Sequence, residues 1–140
     1  MNREDIKKFL PHREPMLLVD ELEMIDGKAH GKYHVKGDEF FLQGHFPGNP
    51  VVPGVILCEI MAQSCSLLLG DLLIGKVPYY TGISDVKFRQ TVRPGDTVYT
   101  VAEIKRSKSV FYFTKCETRN QDGQLVCVGE MSFAIVDEGE

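Results

Sequence analysis

The chain has 140 residues, the size of one domain built on one hydrophobic core. With 16 Lys and Arg against 20 Asp and Glu, its formal charge is -4, which argues against a strongly basic nucleic-acid binder and leaves an acidic partner only a local basic patch. The opening MNREDIKKFLPHREP alternates charges without a signal-type apolar stretch, and later apolar runs read as too short for a bilayer, so a cytosolic protein without membrane insertion is expected.

NREDIKKFL reads as a short amphipathic helix, with Asn2 as cap, Asp5 in the first turn and Pro11 as stop. MLLVDELEMID follows as a strand that ends in the turn Asp26-Gly27, with KAHGKYHVK as its hairpin partner. From Gly37 the segment GDEFFLQGHFPGNPVVPG is an irregular loop. A single helix is expected from about Val55 to Leu73. After it come only strand-like runs rich in Val, Phe, Tyr and Thr: YYTGISDVKFRQTV, TVYTVAEIKR, SVFYFTKCETR and QLVCVGEMSFAIV, each joined to the next by turn residues. The acidic tail DEGE is expected to fray.

One long helix and about six strands make an α+β layout, an antiparallel sheet wrapped on a helix, in one domain spanning 1–140. The four cysteines, Cys58, Cys65, Cys116 and Cys127, form no C-x-x-C pair, which points to reduced buried thiols and no zinc site.

Apolar residues of the expected helix point in nearly every direction, as in a buried helix. Glu59 and Gln63 lie within it at spacing i, i+4, on one face, where they can hydrogen-bond. A carboxylate there is either paired structurally or tuned for acid–base work, and the helix alone does not choose. Pro53 and Gly54 sit where the helix should start, with free N–H groups and a positive dipole end. Gly54 lets a ligand oxygen approach the backbone, about 7–8 Å along the axis from Glu59 at the usual helical rise. His45 precedes a loop stiffened by Pro47, Pro50 and Pro53, a reasonable placement for a general base. His12, His30 and His34 read as structural, and no metal-ligand cluster is apparent.

LPHREPMLLVD, GHFPGNPVVPGVILCEIMAQ and VKFRQTVRPGD together resemble the β-hydroxyacyl-[acyl-carrier-protein] dehydratases of bacterial type II fatty acid synthesis, over nearly the whole chain. The resemblance implies the hot-dog fold. It implies His45 and Glu59 as catalytic residues, Gly54 N–H as donor to the thioester carbonyl, and Gln63 as support for the acid. Phe46 and Val55, next to His45 and Gly54, are read as further substrate contacts. It also implies a homodimeric catalytic unit, with His45 and Glu59 of one site on different subunits, assembled further into a homohexamer. The expected partner is acyl carrier protein bearing a 3-hydroxyacyl-phosphopantetheine thioester, with no cofactor. Val52, Glu14 and Met16 depart from frequent family residues at packing positions.

The implied reaction turns a (3R)-hydroxyacyl thioester into the trans-2-enoyl thioester. His45 takes the α-proton and Gly54 N–H steadies the enolate charge. Glu59 either supplies a proton to the leaving hydroxyl or stays ionised and orients it while His45 moves both protons. Phe40, Phe41, Phe46 and Phe88 are candidates for an acyl tunnel, against ordinary core packing. Lys87, Arg89 and Arg93, or Lys105, Arg106 and Lys108, are candidate carrier-docking patches, against solvated faces. Rival readings are a hot-dog thioesterase that uses Glu59 to direct water, a dehydratase that also isomerises trans-2 to cis-3, and a non-catalytic acyl binder.

Overall fold

The structure is a computed structural model in which residues 1–137 are described. The fraying expected of the acidic tail falls on residues 138–140, outside that range. Asn2 caps helix α1 (Arg3–Ile6) in a capping box with Asp5, so two otherwise unpaired backbone N–H groups are satisfied reciprocally. Strands β1 (Glu21–Ile25) and β2 (Lys28–His34) form the expected hairpin. Asp26 and Gly27 both take positive φ, 51° and 79°, as a two-residue hairpin turn requires. The strand expected from Met16 begins only at Glu21, because part of the backbone before it bonds elsewhere: Leu18 N–H donates to the side chain of Gln63, not to a strand.

The expected single helix is a segmented one. Helix α2 (Gly54–Ser64) passes into α3 (Ser66–Leu69) and then a 3-10 turn at Gly70–Leu73. Ser64 Oγ, Cys65 Sγ and Ser66 Oγ donate back to the carbonyls of Ile60, Met61 and Gln63, competing with the regular ladder where the helix changes pitch. Gly54–Leu73 spans 20 residues with mean hydropathy 1.6, which corrects the expectation that no apolar run reaches bilayer length. Here the sheet, not lipid, receives its apolar side chains.

Strands β3 (Lys76–Phe88), β4 (Thr97–Lys108), β5 (Phe111–Asn120) and β6 (Leu125–Asp137) complete an antiparallel sheet in the order β1-β2-β4-β5-β6-β3. Its inner face follows from period-2 alternation, clearest in β6, where Cys127, Met131, Phe133 and Ile135 are buried. Ala29, Val98, Ala102 and Cys116 continue that face around α2, whose Met61 is fully buried at the centre. Thr100 and Thr118 also face inward, and their hydroxyls satisfy each other at 2.8 Å. A second cluster, Ile6, Leu10, Leu17, Val19 and Leu22, fastens the N-terminal segment to the end of the sheet. The four cysteines are free and buried, with Cys65 Sγ 3.4 Å from Cys116 Sγ.

The helix can lie this close to the sheet because β2 carries Gly31 at the crossing. A Cβ there would fall 2.4 Å from Ser64 Oγ and 3.0 Å from Ser64 Cβ. Gly31→Val should therefore overpack the interface and cost about 1–3 kcal/mol. A lowered urea midpoint at unchanged slope is the expected result.

Candidate active site

Gln63 is the buried centre from which the site is built. It is only 2% exposed, yet its amide is satisfied on both ends. Its Oε1 accepts from Leu18 N–H at 2.7 Å, while Nε2 donates to Met16 C=O at 2.7 Å and to Glu59 Oε2 at 2.8 Å. One side chain thus fastens the segment before β1 to α2 and orients the carboxylate one turn earlier.

Glu59 is held from two further directions. Tyr80, on β3, donates its hydroxyl to Oε1 at 2.9 Å. His12 sets Nε2 3.2 Å from Oε2. The His12 Nδ1 is buried without a hydrogen-bond partner among the described residues. A proton on Nε2, directed at the carboxylate, leaves Nδ1 as the ring atom without a partner. Burial pushes the Glu59 carboxyl up, but hydrogen bonds from His12, Gln63 and Tyr80 outweigh it and hold the group below the ordinary glutamate range. Glu59 is consequently a carboxylate at neutral pH. Conversely, burial and the charge of Glu59 push the Tyr80 phenol far up, so that it keeps its proton.

These residues open into a cavity of about 280 Å³ whose other walls include Leu10, Met16, Ala62, Leu69, Leu73 and Phe133. The chamber is mainly apolar, with Glu59, Gln63, His12, Ser66, Tyr79 and Tyr80 as its polar residues, a balance suited to an acyl chain carrying one polar reacting end.

His45 belongs to a different neighbourhood. It follows a 3-10 turn at Phe40–Leu42, and Val51 N–H donates back to its carbonyl at 3.0 Å. Its ring Nδ1 lies 3.1 Å from Val51 C=O. A carbonyl only accepts, so Nδ1 carries the proton of the neutral ring and Nε2 presents a lone pair. Phe46 stacks on the imidazole with ring centroids 4.3 Å apart. Arg93 reaches Asn49 Oδ1 at 2.5 Å and Val52 N–H donates to Val92 C=O at 2.8 Å, so the loop is braced against the segment after β3.

Pro53 caps α2 without a side-chain hydrogen bond, which leaves the helix start to other acceptors. At Gly54 an added Cβ would meet the Phe88 ring at 3.0 Å, so glycine is what lets Phe88 cover the helix start. Val55 beside it is 76% exposed.

Glu59 and Gln63 therefore both line the cavity, whereas His45, Phe46, Gly54 and Val55 are not among the residues that line it. Phe40, Phe41 and Phe88 do not line it either, and Phe41 is a core residue. Two polar contributors escaped the sequence reading. His12 had been set aside with His30 and His34 as structural, but it touches the carboxylate. Tyr80 carries no local motif; only the register of β3 beneath α2 brings it to Glu59. Among the described residues no group of His, Cys, Asp and Glu has an arrangement suited to a metal ion.

A family model described as FabA-like domain matches residues 10–130. The chain belongs to the FabA-like family. It is 43% identical over 138 residues to a protein of Clostridium perfringens named 3-hydroxyacyl-[acyl-carrier-protein] dehydratase FabZ, covering 96% of this chain and 99% of that one. A protein of the same name from Caldicellulosiruptor saccharolyticus is 44% identical over 134 residues, covering 93% and 95%. Among solved structures, the dehydratase heterocomplex ApeI:P from Xenorhabdus doucetiae superposes with a TM-score of 0.80 at 19% identity, over 96% of this chain and 93% of that one. A hypothetical thioesterase with coenzyme A from Streptococcus pneumoniae gives 0.64 at 16% identity, over 84% and 85%. The fold is the hot-dog fold, as the family resemblance implied.

Replacing Gln63 with leucine strands Leu18 N–H in a buried setting and takes the partner from Met16 C=O in a part-buried one. Each unpaired group costs about 1–3 kcal/mol. Gln63→Leu should therefore unfold at distinctly lower urea concentration than the parent protein.

Proposed function

We propose that the protein dehydrates (3R)-hydroxyacyl thioesters carried on acyl carrier protein, giving the trans-2-enoyl thioester for fatty acid elongation in the cytosol. The functional unit is the whole 1–140 domain, paired as a homodimer and assembled further as a trimer of dimers. The near full-length kinship with proteins named as dehydratases supports the chemistry.

The observation that carries the division of labour is that the reacting groups of one chain do not meet. Glu59 faces the apolar cavity, while His45 and the start of α2 lie outside it. Each chain then offers half a site: an apolar chamber with a carboxylate, and a base beside a helix N-terminus. A second copy supplies the missing half. Strand β3 favours that pairing, since it is a sheet edge of 13 residues that exposes Tyr79, Ile83 and Phe88. A long apolar edge of this kind is a template for another chain.

In the assembled site the substrate's acyl chain occupies the cavity. Its thioester oxygen meets the N–H of the partner's Gly54, where the helix dipole steadies developing enolate charge. Nε2 of the partner's His45 removes the α-proton. The resulting imidazolium returns that proton to the departing hydroxyl, so the C–O bond breaks and water leaves with no net proton taken up. Glu59, as a carboxylate, accepts a hydrogen bond from the hydroxyl and orients it toward His45. Of the two roles open to Glu59, this one fits three donors converging on its carboxylate, because donors to the charged form favour that form.

Incubation with a 3-hydroxyacyl-carrier substrate should produce enoyl absorbance. Release of free thiol instead would replace this reading with hydrolysis. His45→Ala and Glu59→Gln should each lose most activity alone. Mixed after dissociation and reassembly, they should recover roughly a quarter of parental activity, because half of randomly formed dimers are mixed and each has one intact site. No recovery would place both residues in one chain's site.

A further inference from the structure

In the reading above Tyr80 is one of three donors to Glu59 and touches no substrate, yet its geometry ties it to the reacting carboxylate. The two oxygens of Glu59 are unequally engaged. Oε2 receives Gln63 Nε2 at 2.8 Å and His12 Nε2 at 3.2 Å, whereas among the described residues Oε1 receives only the Tyr80 hydroxyl at 2.9 Å. A carboxylate oxygen has room for about two donors. Oε2 is filled, and Oε1 keeps one open direction beside the phenol. The phenol's single proton goes to Glu59 Oε1 rather than to the more distant Cys58 C=O at 3.5 Å, and its ring packs on Phe133 with centroids 5.5 Å apart.

We propose that Tyr80 is a positioning residue for the proposed dehydration: its hydroxyl holds Glu59 with Oε1 as the oxygen that meets the substrate's 3-hydroxyl. The inference rests on Glu59 acting as proposed above. Without the phenol the carboxylate keeps its two contacts on Oε2 but can swing about them, and Oε1 loses its fixed aim. Hydrogen bonding to a charged acceptor is the strong class, and burial makes its direction more costly to change. The titratable groups around this carboxylate and its phenol are His12 from the N-terminal segment, Tyr79 and Tyr80 from β3, Cys58 from α2, and Cys65 just past the end of α2 on the phenol's side.

Tyr80→Phe removes the hydroxyl and keeps the ring on Phe133. The Glu59 carboxyl is followed by carbon-13 NMR, its resonance assigned by its loss in Glu59→Gln. In the parent protein it should titrate below the ordinary glutamate range. In Tyr80→Phe its midpoint should move up, since a donor to the charged form is gone. The rate constant kcat should fall by roughly 10–150-fold with KM little changed, the factor that a hydrogen bond to a charged group controls. A residue that only packs the core would leave the Glu59 midpoint in place. Tyr80→Met, with a flexible apolar side chain, provides the same two readouts should the phenylalanine variant fail to assemble. An unmoved midpoint together with an unchanged kcat overturns the role of Tyr80. Full activity in Glu59→Gln would instead overturn the reading of the site itself, so the two failures are separable.

Discussion

The site depends on one amide placed where no water reaches. Gln63 lies in the core, and all the hydrogen bonds it makes are to groups that would otherwise be buried unpaired or free to rotate. Through Leu18 and Met16 it determines where the chain enters the sheet. Through Glu59 it determines where a charge sits inside an apolar chamber. A leucine of similar volume would fit the space and lose both functions, because the requirement is direction rather than bulk. The helix that carries Gln63 can approach closely enough to serve both neighbours because Gly31 removes the side chain in its path.

The electrostatics of the chamber follow from this arrangement. Burial alone would favour a protonated Glu59. Three donors from three parts of the chain reverse that preference. The carboxylate's companion is a phenol that burial and the same charge keep protonated. The cavity thus contains an acceptor and a donor side by side, each fixed in its state by the other.

Most of the architecture was legible in the residues because it rests on local rules. The hairpin at Asp26-Gly27 follows from turn chemistry, and the late strands from their period and their punctuation. The buried helix follows from apolar residues on every side, and the pairing of Glu59 with Gln63 from helical spacing. What was not legible depends on groups far apart in sequence. Met16–Asp20 has the composition of a strand, and only the buried amide explains why Leu18 bonds away from the sheet. His12 and Tyr80 lie 47 and 21 residues from Glu59, and no spacing rule links them. The split between His45 and the cavity was also outside local reach. Bottom-up spacing placed Gly54 and Glu59 within one substrate's length, whereas the two point to different surroundings.

Leu10, His12 and Met16 come from a segment that contributes no strand to the sheet, yet all three are walls of the cavity. Leading segments of small proteins are usually the part that can be trimmed or replaced with least consequence. Here that segment is architecture rather than tail. Peeling it away would open the chamber to water, remove one of the donors that hold the carboxylate, and leave Gln63 with two empty hands, while every strand stayed paired.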